Sequence, residues 1–276
     1  AELGSLPNVS LRLRTTALGL YDGNTGALLE RRGHLRPDPA KGEARHVVVT
    51  LRARAIVLAT GAAERPLVFA NNDRPGVMLA SAVRSYLHRF AVAPIGRLVI
   101  ATNNDSAYRT AVDLAAAGVA VTLADLRAAP AAARQAEAKQ HGIELLTGTA
   151  LVDVAGGKAV THATLVPVAG GGAQSRDCSL VGMSGGWSPV LHLTSHTGIK
   201  PRYDGAAAAF LPGGYAPGHF GAGALQGRFD IAGAIRQGFE AGAAAAAHAG
   251  HGKSAQGQSI SGVVLPEGVE PAASPD

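Results

Sequence analysis

Cysteine occurs once in these 276 residues, at Cys178. A lone thiol forms no intrachain disulfide and no CxxC pair, which excludes a disulfide framework and any dithiol relay. A reduced, cytoplasmic setting is expected. Aromatic residues make up only 4% of the chain, so a core has to be assembled from Ala, Val and Leu. No run of about 18 apolar residues is present, and no membrane span is expected. The opening segment, Ala1 to Pro7, carries neither a basic n-region nor an apolar h-region. It reads as the tail of a helix ending at Pro7-Asn8, so the chain is expected to be an internal fragment of a longer protein. Blocks of one charge are missing as well. There are 25 basic and 20 acidic residues, a net +5. The arginines stand singly or in short pairs (Arg12, Arg14, Arg31, Arg32, Arg52, Arg54) with no aromatic interleaving, so no nucleic-acid binding is expected.

What is abundant is glycine, 36 residues clustered at turns with no fixed period. The most informative cluster follows an apolar β-branched run, Ile56-Val-Leu-Ala-Thr-Gly-Ala-Ala-Glu-Arg65, closed by Pro66. A strand that ends at Ala59-Thr60-Gly61 turns sharply, and only glycine lets the backbone take positive φ or pass close to a ligand there. This resembles the turn that leaves the first half of flavoproteins with two dinucleotide-binding halves.

The remaining pattern agrees with an α/β fold. Alternation predicts strands over 9–14, 17–21 and 26–31, the last two joined by a turn at Asp22-Gly23-Asn24. The stretch 33–44, with Pro37 and Pro39, reads as loop. Strands are expected at 46–51 and 55–59, and helical spacing of Leu79, Val83, Tyr86, Leu87 and Phe90 predicts a helix over 78–91. A strand at 97–101, a helix at 106–117 and a strand at 119–124 form a βαβ unit with parallel strands. A polar helix over 128–141, strands at 143–146 and 152–154, and a Gly-rich hairpin near Gly170 follow. The strand 180–184 runs into Gly185-Gly186-Trp187. Residues 205–228 read as glycine-rich loop, 231–248 as an Ala-rich helix, and 251–276 as linker.

Where the βαβ unit should carry the G-x-G-x-x-G diphosphate fingerprint stands Thr102-Asn103-Asn104-Asp105-Ser106-Ala107. The spacing is kept but the first two glycines are gone, and Asp105 puts negative charge at the helix start. The plainer reading is a degenerate half kept for packing, with Asn and Asp as caps. Asp125 sits where a ribose-binding acid belongs, and is read as a surface carboxylate. Gly221-Ala222-Gly223 before the final helix resembles the last cofactor segment of flavoproteins, without the acid that binds a ribityl chain. His192 and His196, four apart, could share a helix face and bind zinc with a third ligand, but no acid lies between them and Pro189 and Gly198 crowd the segment, so no metal site is assigned. Ser184 lies in an imperfect nucleophile elbow and is read as a strand end.

Several stretches in order resemble the alpha subunit of heterotetrameric sarcosine oxidase. They are Leu58-Ala-Thr-Gly-Ala-Ala-Glu-Arg-Pro-Leu67, Asn72-Asp-Arg-Pro-Gly-Val-Met-Leu-Ala-Ser-Ala-Val83, Asn104-Asp-Ser-Ala-Tyr-Arg109 and Ser184-Gly-Gly-Trp-Ser-Pro-Val190, followed by the Ala-rich last helix. The resemblance covers about residues 1–250. It implies two interleaved Rossmann-like dinucleotide-binding domains of the FAD/NAD(P)-binding type, incomplete at the N-terminus. The first would comprise 1–95 and 200–250, and the inserted second 96–199. It further implies oxidation of sarcosine to glycine by oxygen, with peroxide formed and a one-carbon unit passed to tetrahydrofolate in a C-terminal domain outside this chain. NAD would bind in this subunit, FMN at a subunit interface and FAD in the beta subunit, with small subunits completing the assembly. Thr60, Gly61, Ala62, Gly221, Ala222 and Gly223 would line the dinucleotide through their backbones, and no catalytic side chain is assigned. Two further readings stand beside it. One is a self-contained NAD(P)H–flavin oxidoreductase or an opine or hydroxyproline dehydrogenase alpha subunit. The other is a non-catalytic scaffold subunit.

Overall fold

The computed structural model describes residues 2–33 and 41–251. They form two compact units that alternate along the chain. The first comprises the residues up to Gly61, Val190–Arg202 and the segment from Leu211; the second comprises Ala62–Pro189 and Tyr203–Phe210.

The second unit is built on a five-stranded sheet ordered Val77–Leu79, Leu180–Ser184, Arg97–Thr102, Ala120–Asp125 and Glu144–Thr147. All neighbours are parallel. Parallel strands need cover on both faces, and the middle residues of the central strands, 98–101 and 121–124, are correspondingly buried on both. Successive side chains point to opposite faces. Leu98 and Ile100 therefore join Ala107, Tyr108, Ala111 and Leu114 of the helix Ser106–Ala116 in one core, with Ala80 and Val83 of the helix Ala80–Phe90. Val99 and Ala101 face the other way, into a second core with Leu151, Val154, Ala163 and Leu165. Those come from an antiparallel sheet of Thr149–Ala155, His162–Pro167 and Gln174–Asp177. The layers are helix, parallel sheet, antiparallel sheet. Cys178 belongs to the second core, and burial beside Asp177 pushes its thiol up to about 11.

The first unit holds a meander, Thr15–Tyr21, Thr25–Arg31 and His46–Arg52, whose hairpin turns at Asp22–Asn24 as the sequence predicts. It also holds a parallel pair, Ile56–Leu58 with His219–Gly221. The helix Ile231–His248 starts at Asp230, whose carboxylate accepts the Gly233 N–H. Leu20, Leu58 and Leu225 form its small core, with Leu191, Leu193 and Tyr215 against them.

Several expectations are corrected. Residues 9–14 form no strand. Ser10 to Arg14 are exposed, Arg14 takes φ +54°, and the first strand begins at Thr15. Alternation is not enough where no neighbouring strand offers a ladder. The 205–228 stretch contains strands Ala209–Leu211 and His219–Gly221 and a 3₁₀ turn, Gly223–Gln226. The polar helix is shorter, Ala132–Gln140, because Pro130 lies just before its start. The change between units falls at 61/62, not near 95, because Val77–Leu79 pairs with Leu180–Ser184 and Ala80–Phe90 packs with Ser106–Ala116. It falls again at 189/190, not near 200, because Leu191 and Leu193 join the first unit's core. The expected loop residues 34–40, Pro37 and Pro39 among them, and the linker beyond His251 lie outside the described residues.

Ile100 is fully buried, whereas Ile95 is 92% exposed. Ile100→Ala is expected to cost about 2–5 kcal/mol. Ile95→Ala should stay within about 0.5 kcal/mol. Urea unfolding of the two variants beside the parent chain checks the contrast.

Candidate functional site

In the first unit, the β-branched run Ile56–Leu58 is paired so that Gly221 stands opposite Leu58. The Ala222 N–H donates to the Leu58 carbonyl at 3.0 Å. The strand then leaves through Thr60, whose hydroxyl donates to the Val190 carbonyl at 2.9 Å. The Val190 N–H donates to the Gly61 carbonyl at 3.0 Å. These two bonds hold the turn from the side. Gly61 takes φ +74°, and a Cβ built on it meets no atom within 4 Å. Its main chain faces open space.

Gly221 differs: a Cβ there would collide with the Tyr215 ring, so the missing side chain makes room for a protein group. Gly223 donates its N–H to Gln237 Oε1 of the last helix at 2.9 Å, and Gln226 Nε2 donates to the Gly221 carbonyl. Thr60, Gly61, Gly221, Ala222 and Gly223 thus gather at one end of this strand pair. Ala62 opens the strand Ala62–Glu64 of the second unit. Tyr215 Oη and His219 Nε2 are buried in the first unit without a hydrogen-bond partner. Burial pushes the Tyr215 hydroxyl up to about 12 and lowers the His219 imidazole.

In the second unit, strand order reverses between Arg97–Thr102 and Leu180–Ser184, so the crevice that receives ligands in such sheets lies at Thr102 and Ser184. Side chains of the chain itself fill that place. Thr102 Oγ1 donates within reach of the Asn104 and Ser184 carbonyls, at 3.0 and 3.2 Å, and accepts from the Asn104 N–H at 3.1 Å. Asn104 Nδ2 reaches the Ser184 carbonyl and Oγ, both at 3.1 Å. Asn104 Oδ1 accepts from the Ser106 N–H at 3.1 Å and its hydroxyl at 2.5 Å. Trp187 Nε1 donates to Ser106 Oγ at 3.0 Å.

Beside this network lies an ionic one. Arg127 pairs with Asp105 at 2.7 Å and with Asp125 at 2.8 Å. Asp125 also accepts from Tyr108 Oη at 2.8 Å and from the Arg127 main-chain N–H at 2.9 Å. Asp125 has no exposed surface, which corrects its reading as a surface carboxylate. A buried acid is tolerable only when paired, and Arg127, two residues on, supplies the pair. Burial and the Asp125 carboxylate push the Tyr108 hydroxyl well above the ordinary tyrosine range.

Two motif residues carry work that composition did not reveal. Glu64 is buried and its Oε2 accepts the Ser81 N–H at 2.9 Å, satisfying a donor at the start of the helix Ala80–Phe90. Arg65 exchanges main-chain hydrogen bonds with Gly185 and Gly186 and donates from its guanidinium to the Ala208 carbonyl at 2.7 Å. The one sequence signal for both was their place directly after the glycine turn. Ser184 is wholly buried within the Asn104 network and ends its strand. His196 Nδ1 accepts the Leu20 N–H at 3.3 Å. No group of three or more potential metal ligands occurs among the described residues. No helix among them is long and apolar enough to cross a membrane.

In the second unit a parallel sheet with a switch point and an attached antiparallel sheet, and in the first a parallel strand pair ending in a glycine turn, define the fold of the FAD/NAD(P)-binding oxidoreductases, with Rossmann-like dinucleotide-binding domains. Solved structures with this fold include thioredoxin reductase from Lactococcus lactis (TM-score 0.63, 17% identity, 85% of this chain and 74% of that one). Thioredoxin reductase from T. acidophilum is another (TM-score 0.61, 19% identity, 73% and 68%). In sequence, the chain is a relative of the sarcosine oxidase alpha subunit. It is 41% identical to that subunit from Corynebacterium sp. strain P-1 over 263 residues, 93% of this chain and 27% of the relative. It is 41% identical to that of Rhizobium meliloti strain 1021 over 215 residues, 77% and 21%. The chain therefore spans about a quarter of the length of the curated relatives it matches. No family model matches it.

Tyr108 gives this site a pH signature. The folded chain holds the phenolic proton to higher pH than the unfolded chain does. Its contribution is complete below about pH 10 and lost as pH rises through and beyond that value. Tyr108→Phe is expected to cost about 1–3 kcal/mol at neutral pH, by leaving a buried Asp125 oxygen short of a donor. The gap between variant and parent should narrow above about pH 10, measured by urea unfolding across that range.

Proposed function

We propose that this chain is the dinucleotide-binding stretch of an oxidoreductase subunit of the sarcosine oxidase alpha type. Thr60, Gly61, Ala62, Gly221, Ala222 and Gly223 would hold an NAD through close backbone approach. The observation that carries the reading is Gly61: a positive φ, a carbonyl tied to Val190, and open space where any other residue would carry a Cβ. Such a bare turn beside the end of a parallel strand suits a bulky ligand lying against the main chain. The Ala222 and Gly223 N–H groups are already used internally, so in this reading they shape the seat and the approach falls to the Thr60–Ala62 turn.

A bound dinucleotide supplies the redox chemistry. The chain's own residues bind and orient it, since neither site pairs a nucleophile with a base among the described residues. In the whole protein the reaction would be oxidation of sarcosine to glycine, with FAD in a beta subunit, FMN between subunits, small subunits in the assembly and tetrahydrofolate as one-carbon acceptor. The 40–41% identity to alpha subunits of that name supports this, as does its extent along nearly all of the chain. A cytoplasmic setting completes the reading.

The full-length protein, coexpressed with its partner chains, should consume oxygen when given sarcosine. NAD extracted from the purified protein should be about stoichiometric. Gly61→Val should weaken its retention at least about tenfold, a loss of about 1.4 kcal/mol. Unchanged NAD content in that variant would remove the basis of the site assignment.

A further inference from the structure

A Rossmann-like sheet seats its nucleotide outside the carboxyl ends of the strands at the switch point. The diphosphate lies against free N–H groups of the following helix. In the second unit that seat lies at Thr102, Ser184 and the start of the helix Ser106–Ala116. The residues there do not fit such a group. The N–H of Asn104 is bonded to Thr102 Oγ1, that of Ser106 to Asn104 Oδ1 and that of Tyr108 to the Asp105 carbonyl. The carboxylate of Asp105, only 7% exposed, already occupies the helix start, where it complements the helix dipole in the place an anion would take. Asp125, placed by sequence to take a ribose hydroxyl, is wholly enclosed and accepts from Tyr108 and Arg127.

We infer that the second dinucleotide crevice of this fold is plugged by the chain's own side chains and takes no pyridine nucleotide. The Asn104 carboxamide and the Ser106 hydroxyl stand at the diphosphate seat, locked by Ser184 and Trp187. Arg127, held between Asp105 and Asp125, closes the ribose side. To enter, a nucleotide has to break the bonds of a buried carboxamide and of a buried ion pair. Exchange of reducing equivalents with NADH or NADPH therefore does not pass through this half. The inference depends on the fold of the second unit, not on the site proposed in the first.

Hydrogen–deuterium exchange of the full-length protein tests it, with NAD, NADH and NADPH each added at saturation. A seat occupied at a hundred times its Kd slows exchange up to about 100-fold, whereas segments 102–109 and 125–134 should change by less than about twofold. The Gly61→Val variant is run in parallel. Nucleotide-dependent protection of 102–109 that persists in that variant overturns the inference. Protection that vanishes there together with that of 57–61 is transmitted from the first unit and leaves the plug in place. If neither 57–61 nor 102–109 is protected, the first unit's proposed site fails and the inference about the second holds.

Discussion

Two carboxylates lie buried at the carboxyl edge of the parallel sheet, and one guanidinium joins them, with Arg134 standing 4.0 Å from the first. Asp105 ends the turn after one central strand, Asp125 ends the next, and Arg127 bridges them from a side chain that is itself only 14% exposed. Removing one partner from such a buried set costs about 3–5 kcal/mol, because the other charge is stranded. The arrangement fixes the start of the helix Ser106–Ala116 and holds Tyr108 against Asp125. With the Asn104 network, it also draws Ser184 and Trp187 toward the same point. A seat that in this fold class is kept open for a ligand is here organised around internal charge.

Much of this architecture was legible in residue order, for identifiable reasons. The hairpin at Asp22–Asn24 carries its own turn chemistry. The helix Ile231–His248 has its start written in Asp230 and its end in the glycine at 250. The βαβ unit announces itself because its strands are apolar without alternation. The glycine turn at 61 and the resemblance to sarcosine oxidase alpha subunits were legible too, and the comparison with curated relatives agrees with the latter.

What escaped is long-range. Leu79 shares helical spacing with Val83, so the end of a three-residue strand was absorbed into the helix behind it. Only its partner, about a hundred residues later, reveals it. Asp125 looked exposed because an acid between strand and loop is exposed unless a cation is delivered to it. The Asn104–Ser184 bonds span 80 residues. Val9 to Arg14 erred in the opposite sense, with ideal alternation and no partner.

Cys178 has a practical consequence. It is the chain's sole thiol, it is packed in an apolar core, and burial beside Asp177 raises its proton affinity and disfavours the reactive thiolate. Alkylating dyes and spin labels will therefore pass it by in the native state. A cysteine introduced at any exposed position of this chain can be tagged against a silent background, with no need to remove the natural one first.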